Sequence, residues 1–491
     1  MIVKWTIFII YIFLLLYAGI HHELWGDEVH SWNIAKASHS YADLLANKRY
    51  EGHPPAWYTL MWVLSKFTHQ VRSIQVMQGI IAAAIAWLIL FKAPFAPLTK
   101  ALLPFGYFFL YEYGVISRNY ALGVLFALCI CLILQKEFKY KQPLYYLLLF
   151  CLSNVHLLTL LLAAAIHFYF LLDIRRQKTP AQLIGHALLG IAVILPAAWF
   201  IHLPSDSEVD PSTWVHSWNA RQLIGFYAPV LRAFLPVPAW WDYHFWNTEF
   251  LLASAGKHAF LSVFNIILGG ALLAGCLLML RKDRKCMALF AVNIILSYLL
   301  SVTLFHLNTA RHSGFIYIGL IVAWWLYCQG RPAVDSRWLN ALLLIQLIAG
   351  VIAVFQDIRH PFSNTSKVEE LITRVPRDKQ LVTDYWTMNA VEAFTDRPIY
   401  CVDAQQEMSF VLFDSRQGRI DNNHHRYTDG FRQLFKQPGQ DGIYLISLSP
   451  PPLLNKVDPL LAGSFRLTLI DKREGAIEQG SNLYLYKVNR F

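Results

Sequence analysis

The stretch PLYYLLLFCLSNVHLLTLLLAAAIHFYFLL, residues 143–172, contains no aspartate, glutamate, lysine or arginine. Basic clusters at 136–141 and 175–178 bound it on both sides. Basic residues accumulate on the cytoplasmic side of membrane proteins. Both flanks are therefore predicted to be cytoplasmic, and the stretch must cross the bilayer an even number of times.

Two crossings within this stretch leave little length for each helix. Two helices that share roughly 30 residues span about 20 Å each, less than the ~30 Å hydrocarbon core. The turn at 153–156, Ser-Asn-Val-His, is thus predicted to be sunken on the outer side. At that depth a non-helical turn must be buried in protein or line a wet cavity.

The rest of the chain supports a membrane protein. Hydrophobic residues make up 56% of the 491 residues and charged residues 15%, which is too apolar for an ordinary soluble protein. Further apolar segments near spanning length lie at 5–20, 72–91, 98–113, 119–134, 183–201, 257–279, 287–305, 314–329 and 338–355. We therefore expect about 11 transmembrane helices, with a cytoplasmic N-terminus and an external C-terminus.

The formal net charge of +10 does not indicate a nucleic-acid partner. The basic residues occur in short runs between apolar segments, and this pattern is typical of membrane orientation. The predicted partner of the surface is the lipid bilayer. We expect an integral protein of the bacterial inner (plasma) membrane whose first span, 5–20, stays uncleaved.

Two regions are predicted along the chain. Residues 1–357 form a transmembrane domain with a first external loop at 21–71 and a second large external loop at 203–255. Residues 358–491 are polar and form a small external α/β domain. Candidate strands lie at 380–385, 399–403, 442–447, 465–470 and 482–488, and candidate helices at 366–375, 389–394 and 425–436.

The second loop is rich in tryptophan. Trp214, Trp218, Trp240, Trp241 and Trp246 occur within it. They suit an interfacial aromatic belt, and contact with a sugar or lipid is the alternative.

Two adjacent carboxylates, Asp27 and Glu28, follow the first span directly, after Trp25 and Gly26. Neighbouring side chains point in different directions, so one can face a site while the other anchors the loop. A partly desolvated carboxylate there can act as a general base with a raised pKa. A solvated pair of loop carboxylates is the plainer interpretation.

The same loop carries the motif Glu51-Gly52-His53-Pro54-Pro55, preceded by Lys48 and Arg49. The prolines can open a helix at its first turn. The apolar, aromatic residues 56–67 predict an interfacial helix that holds the motif near the entrance to the bilayer. A simple membrane anchor is the alternative.

This order of features resembles the C-type membrane glycosyltransferases, and within them the group of protein O-mannosyltransferases and lipid A aminoarabinose transferases. The resemblance implies a polyprenyl-phosphate sugar donor and a glycan, lipid or protein acceptor. It also implies that Asp27 is the catalytic carboxylate with Glu28 beside it, and that Glu51 is the acidic residue of the proline motif.

The chain departs from that group at one position. Some members carry a further acidic residue where the fourth span begins, but this chain reads Ser117-Arg118-Asn119-Tyr120. No metal ligands are assigned and no cofactor is required, although a divalent metal stays open.

A departing phosphate needs cations, and the outer rims of the predicted spans supply Arg118, His156, Arg311 and His312. Arginine binds phosphate oxygens bidentately. His53, Lys48 and Arg49 are the further candidates for donor contacts. Snorkelling to lipid headgroups is the alternative for Arg311, and a satisfied helix-turn histidine is the alternative for His156.

The resulting hypothesis is an inverting transfer of a sugar to an acceptor hydroxyl on the external face, with Asp27 as base. A transporter or flippase is the first rival, and inverted repeats or matched broken helices would favour it. A polymerase or ligase of lipid-linked saccharides is the second rival, because Arg221 and Arg232 lie in the large second loop.

Overall fold

The computed structural model describes residues 1–207, 220–255, 259–331, 334, 336–395, 397–436 and 442–491. Trp214 and Trp218 of the second loop, and the side chain of Arg221, lie outside the described residues.

Long helices dominate residues 1–359. The helices are α1 Ile2–His21, α2 Gly26–Ala37, α3 Tyr41–Asn47, α4 Ala56–Ser65, α5 Ser73–Trp87, α6 Pro97–Leu102, α7 Tyr120–Leu134, α8 Lys141–Ser153, α9 Leu157–Ile174, α10 Pro180–Ile201, α11 Ala220–Ile224, α12 Tyr227–Phe234, α13 Phe250–Ala255, α14 Ala259–Leu280, α15 Arg284–Thr303, α16 Ala310–Cys328 and α17 Arg337–Arg359. Short 3-10 turns occur at Arg49–Glu51 and Leu103–Phe105, and π-helical turns at Leu88–Lys92 and Tyr107–Val115.

Within the described residues, seven helices are long and apolar enough to cross a membrane. They are Ile2–His21, Ser73–Lys92, Leu157–Ile174, Pro180–Ile201, Phe260–Leu280, Arg284–Thr303 and Arg337–Arg359. The other four predicted spans are helical too, but α7 and α8 are short, α16 is almost wholly buried, and the segment at 98–113 is interrupted. The prediction of an α-helical polytopic membrane fold is confirmed.

The interrupted segment places the buried side chains of Phe108 and Tyr113 beside the start of α16. It consists of α6, a 3-10 turn and the π-helical Tyr107–Val115. Tyr113 donates to the carbonyl of Arg311 at 2.6 Å. A Cβ at Gly314 would lie 2.3 Å from that tyrosine oxygen, so only glycine permits the approach. This contact holds the first turn of α16 in place.

The turn between α8 and α9 is buried in protein, as the charge-free stretch predicts. Ser153, Asn154, Val155 and His156 are all buried, and the Asn154 carbonyl accepts from the backbone N–H of Ala56. The sunken turn therefore supports the start of α4, which packs against α2.

The C-terminal region contains a six-stranded mixed sheet. Its strands are β1 Gln380–Thr383, β2 Tyr400–Cys401, β3 Gln406–Glu407, β4 Ile443–Ser447, β5 Phe465–Arg473 and β6 Leu483–Arg490, in the order β3-β2-β1-β4-β6-β5. Its helices are α18 Val368–Ile372, α19 Met388–Glu392, α20 Ser415–Asn422, α21 Arg426–Leu434, α22 Pro451–Val457 and α23 Leu461–Ser464, after a 3-10 turn at Thr365–Lys367.

Each of the five candidate strands overlaps a strand of this sheet, and each candidate helix overlaps a helical segment. The two-residue β3 and the helices α20, α22 and α23 are additional. The sheet contacts the first loop through α19, since Asn33 Nδ2 donates to the carbonyl of Asn389 at 2.9 Å. Ser363 also donates to the Leu24 carbonyl at 2.6 Å.

Candidate active site

A cavity of about 530 Å³ lies where the first loop, several helix ends and the C-terminal region meet. Ten side chains were predicted for the site, and seven of them line this cavity: Asp27, Glu51, His53, Arg118, His156, Arg311 and His312. Glu28, Lys48 and Arg49 lie outside the cavity wall. Asp27 and Glu51 of the first loop therefore share one space with Arg118 and Arg311.

Asp27 lies in the first turn of α2, and its carboxylate faces two guanidinium groups. Its Oδ2 is 3.0 Å from Arg118 Nη1 and 3.8 Å from Arg311 Nη2. The helix N-terminus favours a negative charge at this position. The side chain keeps 44% exposure towards the cavity, so it remains accessible to a ligand.

The pKa of Asp27 departs from the sequence expectation. Burial opposes the charged form, but Arg118 and then Arg311 outweigh it and hold the pKa of Asp27 below its ordinary value. The prediction of a raised pKa was wrong. The sequence places Asp27 at a membrane surface, but it does not show that two arginines converge on it.

Arg311 lies against two indole rings. Its guanidinium lies 5.3 Å from the Trp25 ring centre and 5.2 Å from that of Trp246, and the two rings contact each other edge to face at 5.0 Å. Trp246 Nε1 in turn donates to Glu112 Oε2 at 3.3 Å, and Tyr107 donates to the same oxygen at 2.8 Å. Among the described residues, Arg311 Nε and Nη1 are buried and have no hydrogen-bond partner. The aromatic contacts therefore help to hold the guanidinium beside Asp27.

Glu28 is fully buried and serves the architecture of the site. It accepts from the Trp25 N–H at 3.0 Å and from the Ser117 N–H at 2.5 Å, and it contacts His22 Nε2 at 3.2 Å. His22 Nδ1 is 2.8 Å from Asp357. Glu28 therefore joins the start of α2 to the turn that carries Arg118, which fixes Asp27 opposite that arginine.

The charge of His22 follows from these two carboxylates. Burial disfavours the imidazolium, but Asp357 and Glu28 outweigh it and raise the pKa of His22 to about 10. The group is a buried positive charge between two acids. Breaking such a cluster by removing one partner is costly.

Glu51 forms a second acidic position on the cavity wall. It is 2.8 Å from His30 Nε2 and accepts from Tyr58 at 3.1 Å. Burial opposes both charges, yet the pKa of Glu51 is lowered by His30 and the pKa of His30 is raised by Glu51. The two side chains form an ion pair, and the His30 ring lies 5.7 Å from the Phe413 ring.

Three histidines lie together beside the arginines. The His53 ring centre is 4.9 Å from that of His156, which is 6.0 Å from that of His312. Burial and then Arg118 lower the pKa of His53 to about 4, so it is neutral near pH 7. Its Nδ1 is buried without a partner, and a neutral imidazole there can donate or accept one hydrogen bond.

Lys48 and Arg49 are neighbours in the first loop, but their side chains lie in different surroundings. Lys48 is wholly buried, and burial lowers its pKa to about 8. Its Nζ has no hydrogen-bond partner among the residues that the structure describes. The Phe200 ring lies 4.8 Å from the ammonium. Arg49 instead donates to the carbonyl of His202 and stacks 5.6 Å from Trp199, away from the cavity.

The described part of the chain contains no cluster of side chains suited to bind a metal ion. No group of three or more His, Cys, Asp or Glu side chains there could hold a metal ion.

Two groups of uncharged residues line the cavity. Helix ends and the segment after α10 contribute apolar residues, and the C-terminal region contributes aromatic, apolar and polar residues. The first group comprises Leu157, Leu158, Ile201, Leu203, Leu300, Leu304 and Phe305. The second group includes Trp386, Asn389, Val411, Phe413, Leu448 and Ser481.

Sequence reasoning missed several residues of this site. His30 lies one helical turn after Asp27, so helical spacing alone places it on the same face. Glu112 stands out as an acid inside an apolar segment, and such residues are costly unless used. No local signal marks Trp386, because it reaches the cavity only through the tertiary fold. Trp246 is one of the tryptophans considered above for sugar or lipid contact, and it lies against Arg311 rather than in the cavity wall.

The fold of the chain is similar to that of ArnT from Cupriavidus metallidurans, a lipid A aminoarabinose transferase, in its crystal structure bound to undecaprenyl phosphate. The TM-score is 0.52 at 9% sequence identity, and the alignment covers 99% of this chain and 97% of that chain. The apo structure of the same protein gives a TM-score of 0.43 at 12% identity, over 98% of this chain and 97% of that one.

No family model matches the chain, and no curated protein sequence matches it. The similarity to ArnT at this identity concerns the fold alone. The similarity agrees with the resemblance of the first loop to the group that includes the lipid A aminoarabinose transferases.

Proposed function

We propose that this protein transfers a sugar from a polyprenyl-phosphate donor to an acceptor hydroxyl at the external face of the membrane, with inversion. The observation that supports this most directly is the position of Asp27. Its carboxylate faces two arginines in a cavity that apolar residues of the helix ends and aromatic and polar residues of the C-terminal region line. The undecaprenyl phosphate bound to ArnT, which has the same fold, supports the choice of donor.

The donor lies with its lipid chain against the apolar residues of the helix ends and its phosphate at the arginines. Arg118 and Arg311 both line the cavity and both approach Oδ2 of Asp27. Guanidinium groups pair with phosphate oxygens and remain charged near lipid. Lys48 adds a buried positive charge close to Glu51.

In the reaction, the acceptor oxygen attacks the anomeric carbon and forms the new glycosidic bond. The bond from the anomeric carbon to the phosphate oxygen breaks, and its electron pair leaves with the polyprenyl phosphate. Asp27 takes the proton of the acceptor hydroxyl. Arg118 and Arg311 stabilise the charge that develops on the leaving phosphate.

The arginines couple base strength to donor binding. In the free protein they hold the pKa of Asp27 low, which makes it a weak base. A bound phosphate offsets their positive charge, so the pKa of Asp27 rises when the donor is present. Asp27 is thus a stronger base in the loaded site than in the free protein.

The test is Asp27→Asn in proteoliposomes that contain a lipid-linked sugar donor. The amide keeps the shape but cannot take a proton, so we expect transfer to fall by about a thousandfold. Asp378→Asn, an exposed aspartate of the C-terminal region, is the matched control and keeps full activity.

Undiminished transfer by Asp27→Asn at normal protein levels would remove Asp27 as the base. Movement of the donor across the bilayer with no transfer in the wild type would overturn the proposal in favour of a flippase.

A further inference from the structure

The C-terminal region presents an aromatic surface to the cavity, formed by Trp386, Asn389 and Phe413, which we call the aromatic wall. The Trp386 side chain is 44% exposed, and its ring lies 6.4 Å from that of Phe413. Single exposed aromatic residues are common on proteins. This one differs because it opens into the cavity that also contains Asp27.

The aromatic wall is held rigidly. Tyr385 donates through its hydroxyl to the carbonyl of Leu412, and the Val411 N–H donates to Asn389 Oδ1 at 3.3 Å. These contacts fix both segments that carry the wall. A rigid apolar platform with a polar edge suits ligand recognition.

The aromatic wall is also tied to the catalytic helix. Asn33, on α2, donates to the Asn389 carbonyl at 2.9 Å, and His30 of the same helix lies against Phe413. Asp27 begins that helix. The distance between the wall and the proposed base is therefore set by direct contacts.

The composition of the wall indicates its ligand. A lipid chain suits the leucine residues that the helix ends contribute to the cavity. The aromatic wall combines an indole with an amide, and the hydroxyl-bearing side chains of Tyr50, from the first loop, and Ser481 line the same cavity. A pyranose ring has an apolar C–H face and a rim of hydroxyls, so it can stack on an indole while its rim bonds to such groups.

We propose that the aromatic wall is the acceptor subsite and that the acceptor is a saccharide whose ring stacks on Trp386. The inference rests on the proposed function and names its acceptor class. The sugar enters from the side of the C-terminal region and presents one hydroxyl to Asp27, opposite the lipid donor.

Saturation-transfer NMR on the full chain in nanodiscs tests this without any donor. The probes are the methyl pyranosides of glucose, mannose and N-acetylglucosamine, together with a threonine-containing peptide. We expect saturation of pyranose ring protons in the wild type. Trp386→Ala should weaken pyranoside binding by about fivefold or more, and Trp386→Phe should retain part of it.

Trp241→Ala is the matched control, because Trp241 is a similarly exposed tryptophan outside the cavity. It should leave the pyranoside signal unchanged. Equal pyranoside signals in wild type and Trp386→Ala would overturn the proposal, as would saturation of the peptide with none of the pyranosides.

Failure of the proposed function and failure of the acceptor subsite would give different results. Binding without donor does not depend on Asp27 as base, so loss of the pyranoside signal concerns the subsite alone. With donor present, Trp386→Ala should raise the KM for a saccharide acceptor, while kcat and the donor KM stay within about twofold. An unchanged acceptor KM would contradict the subsite even if transfer were demonstrated.

Discussion

The two walls of the cavity are built differently. The wall from the first loop and the helix ends carries the charges, and buried contacts such as those of Glu28 hold them in position. The wall from the C-terminal region is neutral and aromatic, with Trp386 open to the cavity. A charge that acts on a developing transition state needs rigid, desolvated support, whereas stacking needs only a flat and steady surface.

This difference predicts separate effects on kinetics. Changes in the charged wall should lower kcat or donor affinity, and changes in the aromatic wall should affect the acceptor. After Asp27→Asn, the following variants test the charged wall from the largest expected effect to the smallest.

Arg311→Lys should lower kcat by about a hundredfold. Lysine keeps the charge but loses the planar guanidinium that lies against Trp25 and Trp246 and the bidentate contact with phosphate. Kinetics with varied donor would measure the loss. Arg331→Lys is the control, since Arg331 pairs with Asp283 far from the cavity wall. A rate within twofold of wild type would make Arg311 a headgroup anchor.

Glu28→Gln should lower kcat by about tenfold and also reduce thermal stability. The substitution leaves His22 with one carboxylate, and it weakens the link between α2 and the Ser117 turn. A thermal melt and the kcat measure the two effects. Glu23→Gln is the control, because Glu23 is more exposed and lies outside the cavity wall. Normal kcat with normal stability would exclude the positioning role.

Donor affinity should fall as the pH rises through about 8. Burial lowers the pKa of Lys48 to about 8, so its positive charge is present below that pH and is lost above it. The donor KM measured between pH 6.5 and 9 should rise several-fold in the wild type, but not in Lys48→Met. Lys66→Met, in the same loop, should keep the wild-type profile. Identical profiles for all three proteins would separate Lys48 from the donor.

Arg49→Ala should change transfer by less than about twofold. Its guanidinium contacts a backbone carbonyl and Trp199, and it does not face the cavity. Transfer assays at low and high donor concentration would measure the change. A tenfold loss would mean that the first loop rearranges when the donor binds.

Much of the fold could be predicted because hydrophobic length is a local property. The buried turn at 153–156 followed from charge counting and helix rise alone. The sequence predicts an ordinary span at 98–113, where the structure has an interrupted segment at 97–115. Its π-helical turn packs Tyr113 against Gly314. Such a contact between distant parts of the chain leaves no signal in the local sequence.

Part of the candidate site could also be predicted, because some of its residues carry local signals in the sequence. Asp27 and Glu51 lie in recognisable motifs, and Arg118 and Arg311 lie at predicted span ends. The sequence contains no measure of the distance between those ends. It therefore could not show that both arginines meet one carboxylate, nor that this lowers the pKa of Asp27.

By itself, the sequence determined that this chain enters a membrane many times and that its first loop carries the carboxylates, because burial in lipid depends on local composition. Only the tertiary structure decided which carboxylate faces the cavity, which arginines surround it and which aromatic residues complete the opposite wall. Those choices depend on contacts between residues up to a few hundred positions apart, such as His22 with Asp357 and Asn33 with Asn389.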